Sequence, residues 1–120
     1  MQIVPLWING KNVQSQSGRF GDVFDPALGE ATKQVGFANA AEIEATIKAA
    51  KDAFPAWRDL SLARRQQILF RFRELLEAKK GELAEIITSE HGKVLSDALG
   101  EITRGQEVVE FACGLPHLLK

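Results

Sequence analysis

One cysteine and two histidines are the side chains of this 120-residue chain best suited to covalent or metal chemistry. The single cysteine, Cys113, lies in Val-Val-Glu-Phe-Ala-Cys-Gly, at the end of a helical pattern. A thiolate is a strong nucleophile when its pKa is lowered. The partial negative charge at a helix C-terminus works against that. With small and apolar neighbours, Cys113 reads as a packing residue. His91 and His117 have no metal-ligand spacing with Cys113 or with a carboxylate pair, so no metal is predicted. His91, just before Gly92, is placed to meet the last carbonyls of a helix. Gly92-Lys93 lacks the leading glycine and the Ser or Thr of a phosphate loop, which leaves Lys93 structural or exposed. No Gly-x-Gly-x-x-Gly follows a strand, and Glu42, Glu44 and Glu101 show no paired, desolvated setting for acid–base work. The sequence therefore predicts no catalytic and no cofactor-binding residue within these positions.

Arg104 is different. Its guanidinium is always charged and offers a planar fork that can grip a carboxylate through two parallel hydrogen bonds. With Gly100 and Gly105 beside it, it could reach into a neighbouring cleft. It could equally pair with Glu101 or Glu107, each three residues away on the same helix. Such exposed pairs are common and weak.

The elements that must position Arg104 follow from periodicity. Residues 1–38 read as short strands and turns. Leu6-Trp7-Ile8 and Lys11-Asn12-Val13 flank Asn9-Gly10, the strongest short hairpin signal. Ser15–Gly18 reads as a bend, Arg19–Phe24 as extended, Asp25–Gly29 as a turn and Thr32–Phe37 as a further strand. From residue 39 to 120 the period is helical. Asn39-Ala40-Ala41-Glu42 has capping-box spacing, and Ile43, Ile47, Ala50, Phe54 and Trp57 line one face up to a closure or kink at Pro55. Ser61 caps a second helix with its stripe at Ile68, Leu69, Phe72, Leu75 and Leu76. Lys79-Lys80-Gly81 reads as a break, and a short third helix ends at Gly92.

Ser89–Gly114 reads as a long helical stretch, its helix proper beginning near Lys93. Leu95, Ala98, Ile102, Gly105, Val109 and Ala112 form a narrow seam of small residues. Gly100 and Gly105 each cost about 1 kcal/mol against Ala, which predicts a close neighbour. About four helices are expected in all. The apolar Leu115, Leu118 and Leu119 just before Lys120 suggest part of a larger domain.

Fifteen basic residues against sixteen acidic ones argue against a nucleic-acid surface, and the arginines of the second helix interleave with Glu74, Glu77 and Glu82. No apolar run approaches the roughly 20 residues that span a bilayer, so no membrane association is expected. The N-terminus has neither signal-peptide nor transit-peptide character. A lone cysteine fits a reducing compartment, and the cytoplasm is the expectation.

Several motifs resemble those of the aldehyde dehydrogenase superfamily across nearly the whole chain. They are the Trp7–Lys11 hairpin, Asp25-Pro26-Ala27, Ala53-Phe54-Pro55-Ala56-Trp57, the stretches Arg64–Leu69 and Arg73–Leu76, and Glu90-His91-Gly92-Lys93. Gly100-Glu101, Arg104-Gly105 and Val109–Ala112 are similar to the CoA-acylating methylmalonate-semialdehyde dehydrogenase branch. The resemblance implies an α/β fold, with these residues forming the N-terminal strands and an incomplete helical portion of a Rossmann-like cofactor domain. It implies NAD and CoA as co-substrates, a small semialdehyde as substrate, and a homodimer or homotetramer. It also implies that Arg104 holds the substrate's carboxylate. The nucleophilic cysteine of such an enzyme belongs to a later catalytic domain, so these residues alone are expected to be inactive.

Overall fold

Asn9 and Gly10 both adopt positive φ, 52° and 74°. That is the requirement of a tight turn joining right-twisted strands, and Gly10 meets it without steric cost. In the computed structural model, which describes residues 1–119, this turn joins β2 (Leu6–Ile8) to β3 (Lys11–Val13) as an antiparallel pair in which Trp7 faces Asn12. A second sheet has the order β1-β5-β4, formed by β1 (Gln2–Val4), β4 (Phe20–Asp25) and β5 (Glu30–Gly36). β4 and β5 run antiparallel with a register shift at Val23/Phe24. β1 lies parallel to β5, with Ile3 beside Gln34. The sequence pattern did not single out β1. A three-residue strand is too short to show alternation, and its partner lies some thirty residues away.

Three α-helices follow: α1 (Ala40–Asp59), α2 (Leu62–His91) and α3 (Leu95–Cys113), then a 3₁₀ turn at Leu115–His117. The chain thus combines strands and helices, as an α/β fold requires. It divides into two compact units, Met1–Arg58 and Asp59–Lys120.

In the first unit the expected capping box is present. The Glu42 amide donates to Asn39 Oδ1 at 2.9 Å, and the Asn39 amide donates to Glu42 Oε2 at 2.9 Å. Glu42 also accepts from Ser15 Oγ at 2.8 Å and from the Gln16 amide at 2.6 Å, so one carboxylate ties the Ser15–Gly18 bend to the first turn of α1. Pro55 does not end the helix, which runs on to Asp59. α1 buries no residue: Ile43, Ile47, Phe54 and Trp57 all stay substantially exposed.

In the second unit the expected break at Gly81 is absent. α2 is a single helix of 30 residues. Phe72 and Leu76 before Gly81, and Leu83, Ile86 and Ile87 after it, line the same apolar concavity with Ile102, Gly105 and Val109 of α3. The stripe therefore keeps its phase through Lys79-Lys80-Gly81. Packing along it outweighs a glycine penalty of about 1 kcal/mol. Among the described residues three α-helices form where about four helices were expected, and Ser89–Gly114 is divided between α2 and α3.

Polar contacts between α2 and α3 step in opposite directions along the two helices, as in an antiparallel hairpin. Gln66 Nε2 donates to the Cys113 carbonyl at 2.7 Å, Arg73 Nε to Glu110 Oε1 at 3.0 Å, and Gln106 Nε2 to Glu77 Oε2 at 2.8 Å. Ala84 and Ala98 continue this sequence and are the most buried side chains, fully enclosed. Of the seam read from sequence, Ala98 is fully buried here, while Leu95 and Gly105 stay exposed.

Candidate functional site

The turn between α2 and α3 sets up the site. Gly92 takes φ 84° and its amide donates to the Thr88 carbonyl at 2.8 Å, closing α2 with a left-handed residue. Lys93 follows. Val94, extended at φ −65° and ψ 151°, then starts α3. Over about two turns of α3, Ser96, Asp97, Gly100, Glu101 and Arg104 join Lys93 around an open, largely polar concavity of about 380 Å³.

Within it Lys93 Nζ is ion-paired to Glu101 Oε1. The lysine side chain retains only 19% of its accessible surface, against 46% for Glu101. The hydrogen bond from Lys93 holds the Glu101 carboxyl below the usual carboxylate range, partly offset by desolvation. The charges of Lys93, His91 and Arg104 add in the same direction. Arg104 itself is exposed and donates no hydrogen bond among the described residues. The pair with Glu107 does not form, and Glu101 accepts its ammonium from Lys93 instead. A guanidinium lining a polar concavity, with a neighbouring carboxylate already occupied, can take an external anion through two parallel hydrogen bonds.

The other sequence candidates lie elsewhere. Cys113 is buried at the end of α3, with its carbonyl bound to Gln66. His91 is the last residue of α2 and His117 belongs to the 3₁₀ turn. Among the described residues no three His, Cys, Asp or Glu side chains form a metal-binding group, and no helix is long and apolar enough to cross a membrane. The close neighbour expected at Gly100 and Gly105 is not found: a Cβ built on either meets nothing within 4 Å. Sequence reasoning also missed the Lys93–Glu101 pair. Its partners are eight residues apart across a turn, outside the three- and four-residue spacings by which helical ion pairs are read.

The model of the aldehyde dehydrogenase family matches residues 12–120, and the chain belongs to that family. It is 47% identical over 113 residues to the malonate-semialdehyde dehydrogenase of Pseudomonas aeruginosa, covering 94% of this chain and 22% of the relative. It is 44% identical over 116 residues to the rat mitochondrial acylating methylmalonate-semialdehyde/malonate-semialdehyde dehydrogenase, covering 97% and 22%. Among solved structures, a Sinorhizobium meliloti protein in complex with NAD, described as a candidate methylmalonate-semialdehyde dehydrogenase, superposes with a TM-score of 0.97. It is 42% identical and covers all of this chain and 24% of that one. The methylmalonate-semialdehyde dehydrogenase of Oceanimonas doudoroffii gives 0.95 at 45% identity, with coverage of 100% and 24%. The chain thus spans between a fifth and a quarter of the length of the relatives it matches. Its expected family and branch-level likeness hold.

Proposed function

We propose that these residues are the N-terminal portion of a CoA-acylating semialdehyde dehydrogenase acting on malonate or methylmalonate semialdehyde, and that Arg104 holds the substrate's carboxylate. The observation that carries this reading is the Arg104 guanidinium at a polar concavity, unpaired with Glu107 and beside a Glu101 that Lys93 already occupies. The names borne by its relatives supply the substrate class. In such an enzyme the overall conversion is semialdehyde, NAD⁺ and CoA to acyl-CoA, CO₂ and NADH. NAD would accept the aldehyde hydride and CoA the acyl group. No Gly-x-Gly-x-x-Gly follows a strand here, so the dinucleotide is not assigned to these residues. The residues present contribute binding and orientation. Arg104 fixes the carboxylate end, which restricts the aldehyde end to a few orientations and lowers the entropic cost of the reacting geometry. Cys113 takes no part, and the nucleophile is placed outside this chain.

Arg104→Ala in the intact dehydrogenase is the test. Charge-assisted hydrogen bonds are worth enough that kcat/KM for malonate semialdehyde should fall about ten- to hundredfold relative to that for propanal. An unchanged ratio of the two would sink the assignment. A requirement for CoA separates this reading from a succinate-semialdehyde type of enzyme, in which Arg104 need not meet the substrate.

A further inference from the structure

Arg104 has a rival for any substrate carboxylate on its own helix. Glu101 lies one turn towards the N-terminus, and an acidic residue three positions before a basic one is a favourable helical pair. That pair would close the guanidinium to ligands. In the structure Glu101 is instead held from the other side by Lys93, which belongs to neither helix. The left-handed Gly92 turns the chain so that Lys93 enters the concavity, where its side chain is four-fifths covered. The concavity then holds two cations, Lys93 and Arg104, and two carboxylates, Asp97 and Glu101, and is formally neutral.

We infer that Lys93 is a positioning residue for substrate recognition: by occupying Glu101 it keeps the Arg104 guanidinium available to the carboxylate of the substrate. This rests on the carboxylate-binding role proposed for Arg104. Two effects of removing the ammonium reinforce each other. Glu101 becomes free to pair with Arg104, and the concavity acquires a net negative charge that repels a carboxylate. A helical pair of ordinary strength would occupy Arg104 roughly two-thirds of the time, which alone weakens anion binding about threefold.

The experiment uses the intact dehydrogenase with malonate semialdehyde and propanal as paired substrates and malonate as a dead-end ligand followed by calorimetry. Lys93→Met should raise KM for malonate semialdehyde relative to propanal at least threefold and weaken malonate binding to match. Lys93→Met combined with Glu101→Gln should restore both, because the rival is gone and neutrality returns. Lys93→Arg should keep both near the parent values. The inference is overturned if Lys93→Met leaves the KM ratio unmoved, or if the double variant fails to restore it. It is equally overturned if both KM values rise together, as damage to the fold would cause. Arg104→Ala without effect on the ratio would instead remove the underlying reading. Arg104→Ala effective with Lys93→Met silent would remove this inference alone.

Discussion

Isolated as 120 residues, the chain should be only marginally stable, because its helices present apolar faces that nothing covers. Its accessible surface is 8734 Å² for a mass of 13.2 kDa. Two separate compact bodies of half that mass would together expose about 7,700 Å². The excess is therefore on the order of 1,000 Å², whatever the arrangement of the two units. With somewhat more than half of a protein surface apolar, about 25 cal/mol per Å² makes the forgone burial on the order of 15 kcal/mol. That is as large as the whole net stability of an ordinary domain. The exposure is concentrated in particular residues: Ile47 at 62%, Phe54 at 56%, Val108 at 68% and Phe111 at 66%. Circular dichroism at micromolar concentration should show helix that is lost over a broad range below about 45 °C, under the usual mesophile midpoint. A dye that binds exposed apolar surface should fluoresce before melting. A sharp transition above that temperature, in a species shown by sedimentation to be monomeric and independent of concentration, would refute the reasoning.

Two glycines of one helix should respond with opposite signs at 10 °C. Gly81→Ala should raise the helix content and midpoint by the equivalent of about 1 kcal/mol, since Gly81 is mid-helix and a Cβ there meets nothing within 4 Å. Gly92→Ala should lower them by about 1–2 kcal/mol, since φ is 84° there; equal signs would contradict the assigned cap. Backbone amides of Gln16 and Asn39 hold the Glu42 carboxyl below its ordinary range. Its contribution should be full above the ordinary glutamate value and lost as pH falls through the depressed one. The Gln16 amide resonance should follow that acid-side titration, and Glu42→Gln should abolish it; a titration at or above the ordinary value would contradict the hydrogen bonds.

Much of the fold was legible because its signals are local. Asn9-Gly10 requires positive φ, Asn39 and Glu42 require each other's amides, Ser61 reaches the Arg64 amide at 3.3 Å, and Gly92 closes α2. Each can be read within four residues. The misreadings arose where a local signal competed with packing at longer range. Gly81 looked like punctuation, but Leu76 and Leu83 are seven residues apart and remain on one face. β1 exists only because Lys33–Val35 offers it a parallel edge.

The site shows the same division. Arg104 could be singled out by charge and context, yet its side chain alone could not decide between an ion pair and a ligand. Geometry bears on that choice through a residue the sequence had set aside as structural or exposed. Lys93 is bound to Glu101 and thereby removes one of the two carboxylates that would otherwise silence the arginine. The other one, Glu107, does not pair with it. A lone guanidinium among acidic residues is ordinarily a surface ion pair of little consequence. One whose neighbour is occupied by a second cation, brought in by a glycine cap from another helix, has a built reason to stay open. The glycine cap, the lysine and the glutamate are thus parts of one device, and its purpose is visible only when the three are considered with the arginine they leave free.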